Sequence, residues 1–168
     1  LRQDLQFVFQ NPWGALNPRM RIGRLIAEPL ILSGHKGVRE EAARIADRVQ
    51  LSTEVLKRFP HELSGGQLQR VCIARAIATQ PKVIIFDEPT SSLDLSVRAE
   101  ILNLLRTLQD DTGAAFIFIS HDLDTVRLIS DRIMVLYLGG IVEEGRVEDV
   151  FGRPAHPYTQ SLLSAHLP

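Results

Sequence analysis

The sequence predicts an α/β protein, with a parallel sheet in the second half of the chain and a mostly helical first half. The segments "KVIIF" (82–86) and "AAFIFIS" (114–120) are apolar throughout, as strands of a parallel sheet are when helices cover both of its faces. A helical pattern separates them, from about 95 to 108, as a crossover between parallel strands requires. Residues 24–57 show helical periodicity and contain no convincing strand.

The composition excludes several classes of protein. The chain has 168 residues, 45% of them hydrophobic and 23% charged, which suits one compact domain with a sizeable core. Its net charge is −1, and it contains no run of basic residues, so it has no positive electrostatic field to attract nucleic acid. The longest apolar runs are far shorter than the roughly 18 residues that span a bilayer. One cysteine excludes an internal disulfide, and five scattered histidines predict no structural metal.

In the first half, one strand precedes the helices. The segment "LQFVFQNP" (5–12) alternates in hydropathy and is rich in β-forming residues, and it stops at Asn11-Pro12. It therefore predicts a strand that runs into a loop. The helical pattern that follows is broken at "SGHKG" (33–37), which predicts two helices.

The segment "HELSGGQLQR" (61–70) predicts the start of a helix. Ser64 and Gln67 have the spacing of a capping box, and the pattern continues to Thr79, before a proline. Gly65 and Gly66 lie in the first turn, where each costs about 1 kcal/mol relative to alanine. Bare amides at a helix N-terminus favour an anion-binding site. The alternative is a glycine-rich turn before an ordinary core helix.

Polar residues follow both predicted strands of the second half. Asp87 and Glu88 end the first strand, at the edge where open α/β sheets bind ligands. Their side chains point in opposite directions, so Asp87 could hold Mg²⁺ through water while Glu88 activates a water for attack on phosphorus. The alternative for this pair is solvation of a strand end. Ser120, His121 and Asp122 end the next strand.

The remaining elements are predicted from shorter patterns. A short helix is expected over 122–129, and "RIMVLYL" with "GIVEEG" indicates a hairpin around Gly139-Gly140. The tail "VFGRPAHPYTQSLLSA" predicts a helix over 157–165 that follows a proline and covers an edge.

Four sequence motifs, in this order, resemble those of the ATP-hydrolysing subunit of an ATP-binding-cassette (ABC) transporter. They are "VFQNP" (the Q-loop), "LSGGQLQRVCIARA" (the signature), "VIIFDEPTSSLD" (Walker B and the D-loop) and "FIFISHDL" (the switch histidine). The resemblance implies a P-loop NTPase (RecA-like) parallel-sheet core with an inserted α-helical subdomain. It assigns 1–10 to the end of a core strand and the Q-loop, 11–80 to the helical subdomain with the signature, 81–150 to the core, and 151–168 to an accessory tail.

The resemblance also assigns roles within one subunit. Glu88 becomes the catalytic base, His121 the switch that contacts the γ-phosphate, and Asp87 the acid on the metal side. Gln10 senses Mg²⁺ and the attacking water, and links the site to a membrane-embedded partner. ATP and Mg²⁺ are the implied ligands.

A second group of roles crosses a subunit interface. In this family two subunits meet head to tail, and the signature helix of one closes on the nucleotide held by the other. The resemblance therefore assigns Ser64, Gly65, Gly66 and Gln67 to a nucleotide on the partner, with Asp94 as a D-loop contact. Ser92 stands where the family often has alanine, a change between small residues.

One family motif is missing from the chain. No G-x-x-x-x-G-K-[ST] phosphate loop occurs in the 168 residues. The resemblance puts this loop upstream of Leu1, so we expect a fragment that lacks the N-terminal part of the core. We also expect a strand between the histidine strand and "RIMVLYL" to be missing, and the chain alone to lack ATP turnover.

The flanking segments indicate a branch of the family. "FQNPWGALNPRMRIGRLIAEPL" and the tail resemble the oligopeptide/dipeptide importers, whose relatives carry nickel. The implied partners are a second ATP-binding subunit, transmembrane permease subunits and, indirectly, an extracytoplasmic solute-binding protein, with the chain peripheral on the cytoplasmic face of the membrane. Peptide is the first expectation for the cargo, and nickel or an opine-like solute the second. Trp13 and Met20 would face the permease, or Trp13 would be a core aromatic.

Two other classes of function are alternatives. A non-transport cassette ATPase of the DNA-repair or translation kind would share the core, but would be expected to carry a coiled-coil insertion or basic arms. A regulatory or assembly module that has lost catalysis is disfavoured by the presence of Glu88 and His121.

Overall fold

The computed structural model of the chain describes residues 4–165, in two compact units that divide between Ile119 and Ser120. The first unit contains the strands β1 (Leu5–Val8), β2 (Val83–Asp87) and β3 (Ala115–Ile119). Its helices are α1 (Pro12–Ala15), α2 (Ile22–Leu32), α3 (Val38–Arg48), α4 (Gly65–Ile77) and α5 (Leu95–Thr112), with 3₁₀ turns at Thr53–Lys57 and Pro60–Glu62. The second unit contains α6 (Leu123–Ile129), β4 (Arg132–Tyr137), β5 (Gly140–Arg146), α7 (Val147–Gly152) and α8 (Pro157–Ser164).

The three strands of the first unit form a parallel sheet in the order β1-β2-β3. In its register Phe7 lies beside Ile85, and Ile85 lies beside Ile117. The described chain between β1 and β2 is helical and contains no strand, and α5 connects β2 to β3. The predicted α/β class, with a parallel sheet and a helical first half, is therefore confirmed.

The two faces of this sheet differ. Val8, Ile84 and Phe86 are almost inaccessible on one face, and α4 contacts β1. On the other face Phe7 and Phe9 are about half exposed, at 49% and 55%, and their rings stack 5.9 Å apart. The expectation that helices cover both faces is thus wrong for the described part of this unit. Alternation puts every second side chain on the face that the helices leave open.

Helices α2, α3 and α4 pack together because each carries a stripe of apolar side chains. In α4 the stripe widens until most of the helix is buried, so α4 is a central helix rather than a surface one. Arg70 fixes α4 to its neighbours: its guanidinium donates to the Val49 carbonyl at 3.2 Å, to Gln50 Oε1 at 2.8 Å and to Glu100 Oε2 at 3.0 Å. The Arg70 side chain therefore ties α4 to α5 and to the end of α3.

The second unit is built on an antiparallel hairpin. Strands β4 and β5 pair across a two-residue turn, in which Leu138 and Gly139 both have positive φ, +48° and +82°. This is the combination that a type I′ turn needs, and it confirms the predicted hairpin. The tail helix is also confirmed, as α8. Strands β4 and β5 form a sheet of their own, and the expectation of a further strand beside the histidine strand stays a prediction.

No helix in the part of the chain that the structure describes has both the length and the apolar character to cross a membrane. The division of the chain into four functional segments is not tested by the two units and stays a prediction.

Candidate functional site

The carboxyl end of β2 presents the two predicted acids. Asp87 is the last residue of β2, and Glu88 follows it in a left-handed backbone conformation, with φ of +44°. The Glu88 amide still donates to the Ile119 carbonyl at 2.9 Å, so the residue remains fixed to β3. A left-handed backbone at a residue other than glycine costs of order 1–3 kcal/mol and is concentrated at functional sites. Both acids are half-buried.

Gln10 reaches this edge from the end of β1. Its Nε2 atom donates to Glu88 Oε2 at 3.0 Å, although the two residues are 78 positions apart in the sequence. The contact follows from topology, because β1 and β2 are parallel neighbours and their carboxyl ends meet at the same edge of the sheet. The structure therefore brings together two of the residues that the resemblance assigns to catalysis.

The side chains at this edge suit a magnesium ion that is shared with a phosphate. Asp87, Glu88 and Gln10 offer carboxylate and amide oxygens, the ligands that Mg²⁺ prefers. Among the described residues, no group of three or more His, Cys, Asp or Glu side chains could hold a metal ion by itself. Mg²⁺ in phosphoryl-transfer sites is usually bound by one or two carboxylates together with substrate phosphates, so the residues present fit the ion.

The first turn of α4 has the predicted cap. The Gln67 backbone amide donates to Ser64 Oγ at 3.3 Å, and the Ser64 backbone amide donates to Gln67 Oε1 at 3.1 Å. The capping box is thus confirmed, and both Ser64 and Gly65 are exposed. The amides at this turn carry the positive end of the helix dipole, so the turn can accept an anion from solvent.

The two glycines in this turn have different surroundings. A Cβ on Gly65 would lie 3.6 Å from Leu93 Cδ2, an ordinary contact, whereas a Cβ on Gly66 would lie 2.5 Å from Val97 Cγ1. Gly66 is buried and allows α4 to approach α5 closely. The sequence-based reasoning explained both glycines by ligand approach and missed the packing at Gly66, since nothing in the local pattern identifies Val97 as its neighbour.

Asp94 begins α5 beside this turn. Its carboxylate accepts the Val97 amide at 3.0 Å and the Ser96 hydroxyl at 2.8 Å. These hydrogen bonds, above all the one from the Val97 amide, lower the pKa of Asp94 below its ordinary value. Because Val97 also packs on Gly66, the N-terminal turns of α4 and α5 lie side by side.

His121 lies in the second unit, in the turn before α6. The Asp122 amide donates to Ser120 Oγ at 3.0 Å, and Asp122 caps α6 by accepting the Thr125 amide at 3.1 Å. His121 itself is exposed between these two fixed residues. The turn therefore holds the backbone of His121 in a residue that is exposed as a whole.

Three further side chains lie outside this edge and the α4 turn. Trp13 is 51% exposed at the start of α1, so the alternative that it is a core aromatic is wrong. Met20 is half-buried in the following loop. Cys72 is buried in α4, and this burial raises the pKa of its thiol to about 11, which makes it a poor nucleophile.

The chain is similar in sequence to known proteins. The sequence model of the ABC transporter family matches residues 1–91. The chain is 50% identical over 167 residues to the dipeptide transport ATP-binding protein DppF of Escherichia coli K12, covering 98% of this chain and 50% of that protein. It is 54% identical over 168 residues to the glutathione import ATP-binding protein GsiA of the same strain, covering 98% of this chain and 27% of that protein. The chain thus spans about half the length of the DppF relative.

Two solved structures share the fold. One is a dimeric post-hydrolysis state of the ATP-binding cassette MJ0796 bound to ADP and Pi, with a TM-score of 0.74 and 32% identity, covering 87% of this chain and 64% of that one. The other is CbiO1 from Clostridium perfringens, part of the ABC transporter complex CbiONQ, with a TM-score of 0.80 and 29% identity, covering 90% and 61%. The predicted P-loop NTPase fold is confirmed by these likenesses.

Proposed function

The chain belongs to the ABC transporter family, and from this membership we propose that it is part of an ATPase that hydrolyses ATP to drive an importer. The observation that carries the proposal is the contact between Gln10 and Glu88 at the carboxyl edge of the sheet. It joins a polar amide and a candidate base, at the edge where this fold class binds its ligands.

Glu88 is the base in the proposed mechanism. Its carboxylate accepts a proton from the attacking water, whose oxygen bonds to the γ-phosphorus while the bond to the bridging oxygen breaks and ADP leaves with the electron pair. Gln10 donates to Oε2 of this carboxylate, so a water that binds at this same oxygen would have to share it with Gln10 or displace Gln10. This makes Gln10 suited to report whether the site is occupied.

The other polar residues position the phosphates. Asp87 and Gln10 would hold Mg²⁺, which when bound would neutralise phosphate charge and orient the γ-phosphate. His121 would donate a hydrogen bond from its ring to a γ-phosphate oxygen. Phosphoryl transfer depends mainly on positioning and charge neutralisation, so single contacts of this kind suffice.

The turn at the start of α4 is proposed to act on a second subunit. Ser64, Gly65, Gly66 and Gln67 would contact the γ-phosphate of a nucleotide held by the partner, and Asp94 would meet the partner nearby. The support is the exposure of Ser64 and Gly65 at a capped helix N-terminus. The MJ0796 cassette, a dimer bound to ADP and Pi, supports the association of two subunits.

The cargo and the membrane partners are proposed from the relatives. The named functions of DppF and GsiA are dipeptide transport and glutathione import, so a peptide is the proposed cargo, with nickel or an opine-like solute as the second candidate. The proposed partners are permease subunits, which Trp13 and Met20 would face, and indirectly a solute-binding protein. The proposed location is the cytoplasmic face of the membrane, as a peripheral subunit.

The central test of this function is Glu88→Gln in the ATPase assembly that contains this chain. The variant keeps the hydrogen-bonding shape but cannot accept the proton, so Mg-ATP turnover should fall by about 10²–10⁴, while ATP binding is retained. The matched control is Glu148→Gln, an exposed glutamate on α7, which should leave turnover unchanged. Unchanged turnover in Glu88→Gln would contradict the proposal.

The expectation that these 168 residues alone do not hydrolyse ATP stays a prediction. They contain no phosphate-binding-loop sequence, and a Mg-ATPase assay of the purified polypeptide is the check. Measurable activity would contradict the expectation without affecting the role of Glu88.

A further inference from the structure

Ser91 lies between the two residues that carry the proposed chemistry. Its hydroxyl accepts a hydrogen bond from Gln10 Nε2 at 3.3 Å and donates one to the Glu88 carbonyl at 3.1 Å. We propose that Ser91 is a positioning residue that holds Gln10 and Glu88 in one arrangement. This proposal rests on the proposed function, because it assumes that Glu88 is the base.

The backbone of Glu88 is strained, and Ser91 helps to hold it. Its left-handed conformation, with φ of +44°, is unfavourable by itself. The Glu88 amide donates to the Ile119 carbonyl at 2.9 Å, and the Glu88 carbonyl accepts both the Ser91 amide at 3.3 Å and the Ser91 hydroxyl. The hydroxyl bond is the shorter of the two at this carbonyl, so Ser91 contributes directly to holding the strained residue.

The Gln10 side chain contacts both Glu88 and Ser91. Its Nε2 atom donates to Glu88 Oε2 at 3.0 Å and to Ser91 Oγ at 3.3 Å. A hydroxyl has one proton to donate and lone pairs to accept with, and Ser91 uses both capacities here. The same oxygen that steadies the Glu88 backbone therefore also orients the Gln10 amide toward the Glu88 carboxylate.

The neighbouring serine provides a matched control. Ser92 is exposed, and its hydroxyl is not part of this network. Ser91→Ala and Ser92→Ala remove the same atom from adjacent positions, so any effect on chain flexibility common to both cancels. Ser91→Thr keeps a hydroxyl at the position and tests whether that group alone restores the arrangement.

The first experiment needs no ATP. Amide hydrogen exchange is measured over residues 88–91 of the nucleotide-free assembly. Ser91→Ala should exchange about five- to tenfold faster than the wild type, the ratio expected for one lost hydrogen bond. Ser92→Ala should match the wild type, and Ser91→Thr should lie within about twofold of it.

The second experiment measures turnover in the same assembly. Ser91→Ala should lower kcat about tenfold with KM for ATP changed less than twofold, because the hydroxyl places the base rather than binding the nucleotide. Ser92→Ala should retain the wild-type kcat, and Ser91→Thr should recover most of it.

Two results would overturn the proposal. One is equal exchange in the two alanine variants, and the other is faster exchange in Ser91→Ala with unchanged kcat. If Glu88→Gln abolishes turnover while either result is found, the proposed function stands and only the role of Ser91 fails. If Glu88→Gln retains full turnover, the proposed function itself fails.

Discussion

At the start of α4, Gly65 and Gly66 meet different neighbours. A methyl group on Gly65 would make an ordinary contact with Leu93, but on Gly66 it would overlap Val97. Alanine at position 65 should therefore be tolerated, whereas alanine at 66 must displace α4 from α5. Packing within the chain therefore explains the glycine at position 66, independently of any contact that its backbone amide makes.

The packing at Gly66 can be tested by compensation. Gly66→Ala should destabilise the protein by about 1–3 kcal/mol through overpacking, and Gly65→Ala should change stability by less than about 1 kcal/mol. Adding Val97→Ala removes the methyl that Gly66→Ala would meet, so the double variant should be more stable than the sum of the single effects by about 1 kcal/mol or more. Urea unfolding of the wild type, the three single variants (Gly65→Ala, Gly66→Ala and Val97→Ala) and the double variant provides the measurement. Strictly additive effects would argue against the packing explanation.

At the scale of elements, the cap of α4 combines a structural and a proposed functional role. Ser64→Ala removes the acceptor of the Gln67 amide and should cost about 1 kcal/mol. Ser64→Asp keeps a good cap, so its stability should remain within about 0.5 kcal/mol of the wild type. It also adds a negative charge where a phosphate is proposed to bind, and should abolish ATP-dependent subunit association.

Urea unfolding and size-exclusion chromatography with Mg-ATP separate these two roles. Ser64→Thr, which keeps the hydroxyl, is the control. If the subunits of Ser64→Asp still associate in the presence of Mg-ATP as the wild-type subunits do, the turn does not contact phosphate.

The tail helix α8 is attached to the hairpin by Glu143. The carboxylate accepts the Ala155 amide at 2.8 Å and the His156 amide at 3.0 Å, and the Tyr137 and Tyr158 rings lie 4.2 Å apart. The pKa of Glu143 is lowered, first by the nearby Thr159 side chain and then by the hydrogen bond from the Ala155 amide. The ionised form is therefore the one that holds the tail.

The pH dependence follows from the sign of this shift. A carboxylate whose pKa is lowered on folding stabilises the fold above its unfolded pKa and loses this contribution as pH falls through the folded pKa. The wild type should thus unfold at a higher temperature than Glu143→Gln at neutral pH, and this difference should shrink below about pH 4.3. Thermal unfolding from pH 3 to 7 is the measurement. If the difference in unfolding temperature does not change with pH, the ionised Glu143 carboxylate does not hold the tail.

At the scale of the whole molecule, the sequence predicted local features well and tertiary ones poorly. The Ser64 capping box and the hairpin turn were found because their signals lie within a few residues. The bonds from Gln10 to Glu88 and Ser91 depend on which strands pair, which periodicity does not specify. The resemblance brought Gln10 and Glu88 into one site, but nothing in the pattern identified Ser91.

The exposure of one face of the sheet could not be predicted from the sequence either. The apolar residues of β1 and β3 predicted burial on both sides, yet Phe7 and Ile117 remain about half exposed. An apolar side chain tends to be buried, but its apolar character does not say which helix or strand packs on it. Trp13 is a similar case, because its neighbours along the chain could not decide between a core and a surface position.

The most direct test of this account is a structure of the Glu88→Gln assembly with Mg-ATP. We expect Ser64 Oγ of one subunit to lie about 3 Å from a γ-phosphate oxygen of a nucleotide held by its partner, with residue 88 beside the γ-phosphate held by its own subunit. A bound triphosphate whose γ-phosphate meets neither Ser64 of the partner nor residue 88 would contradict it.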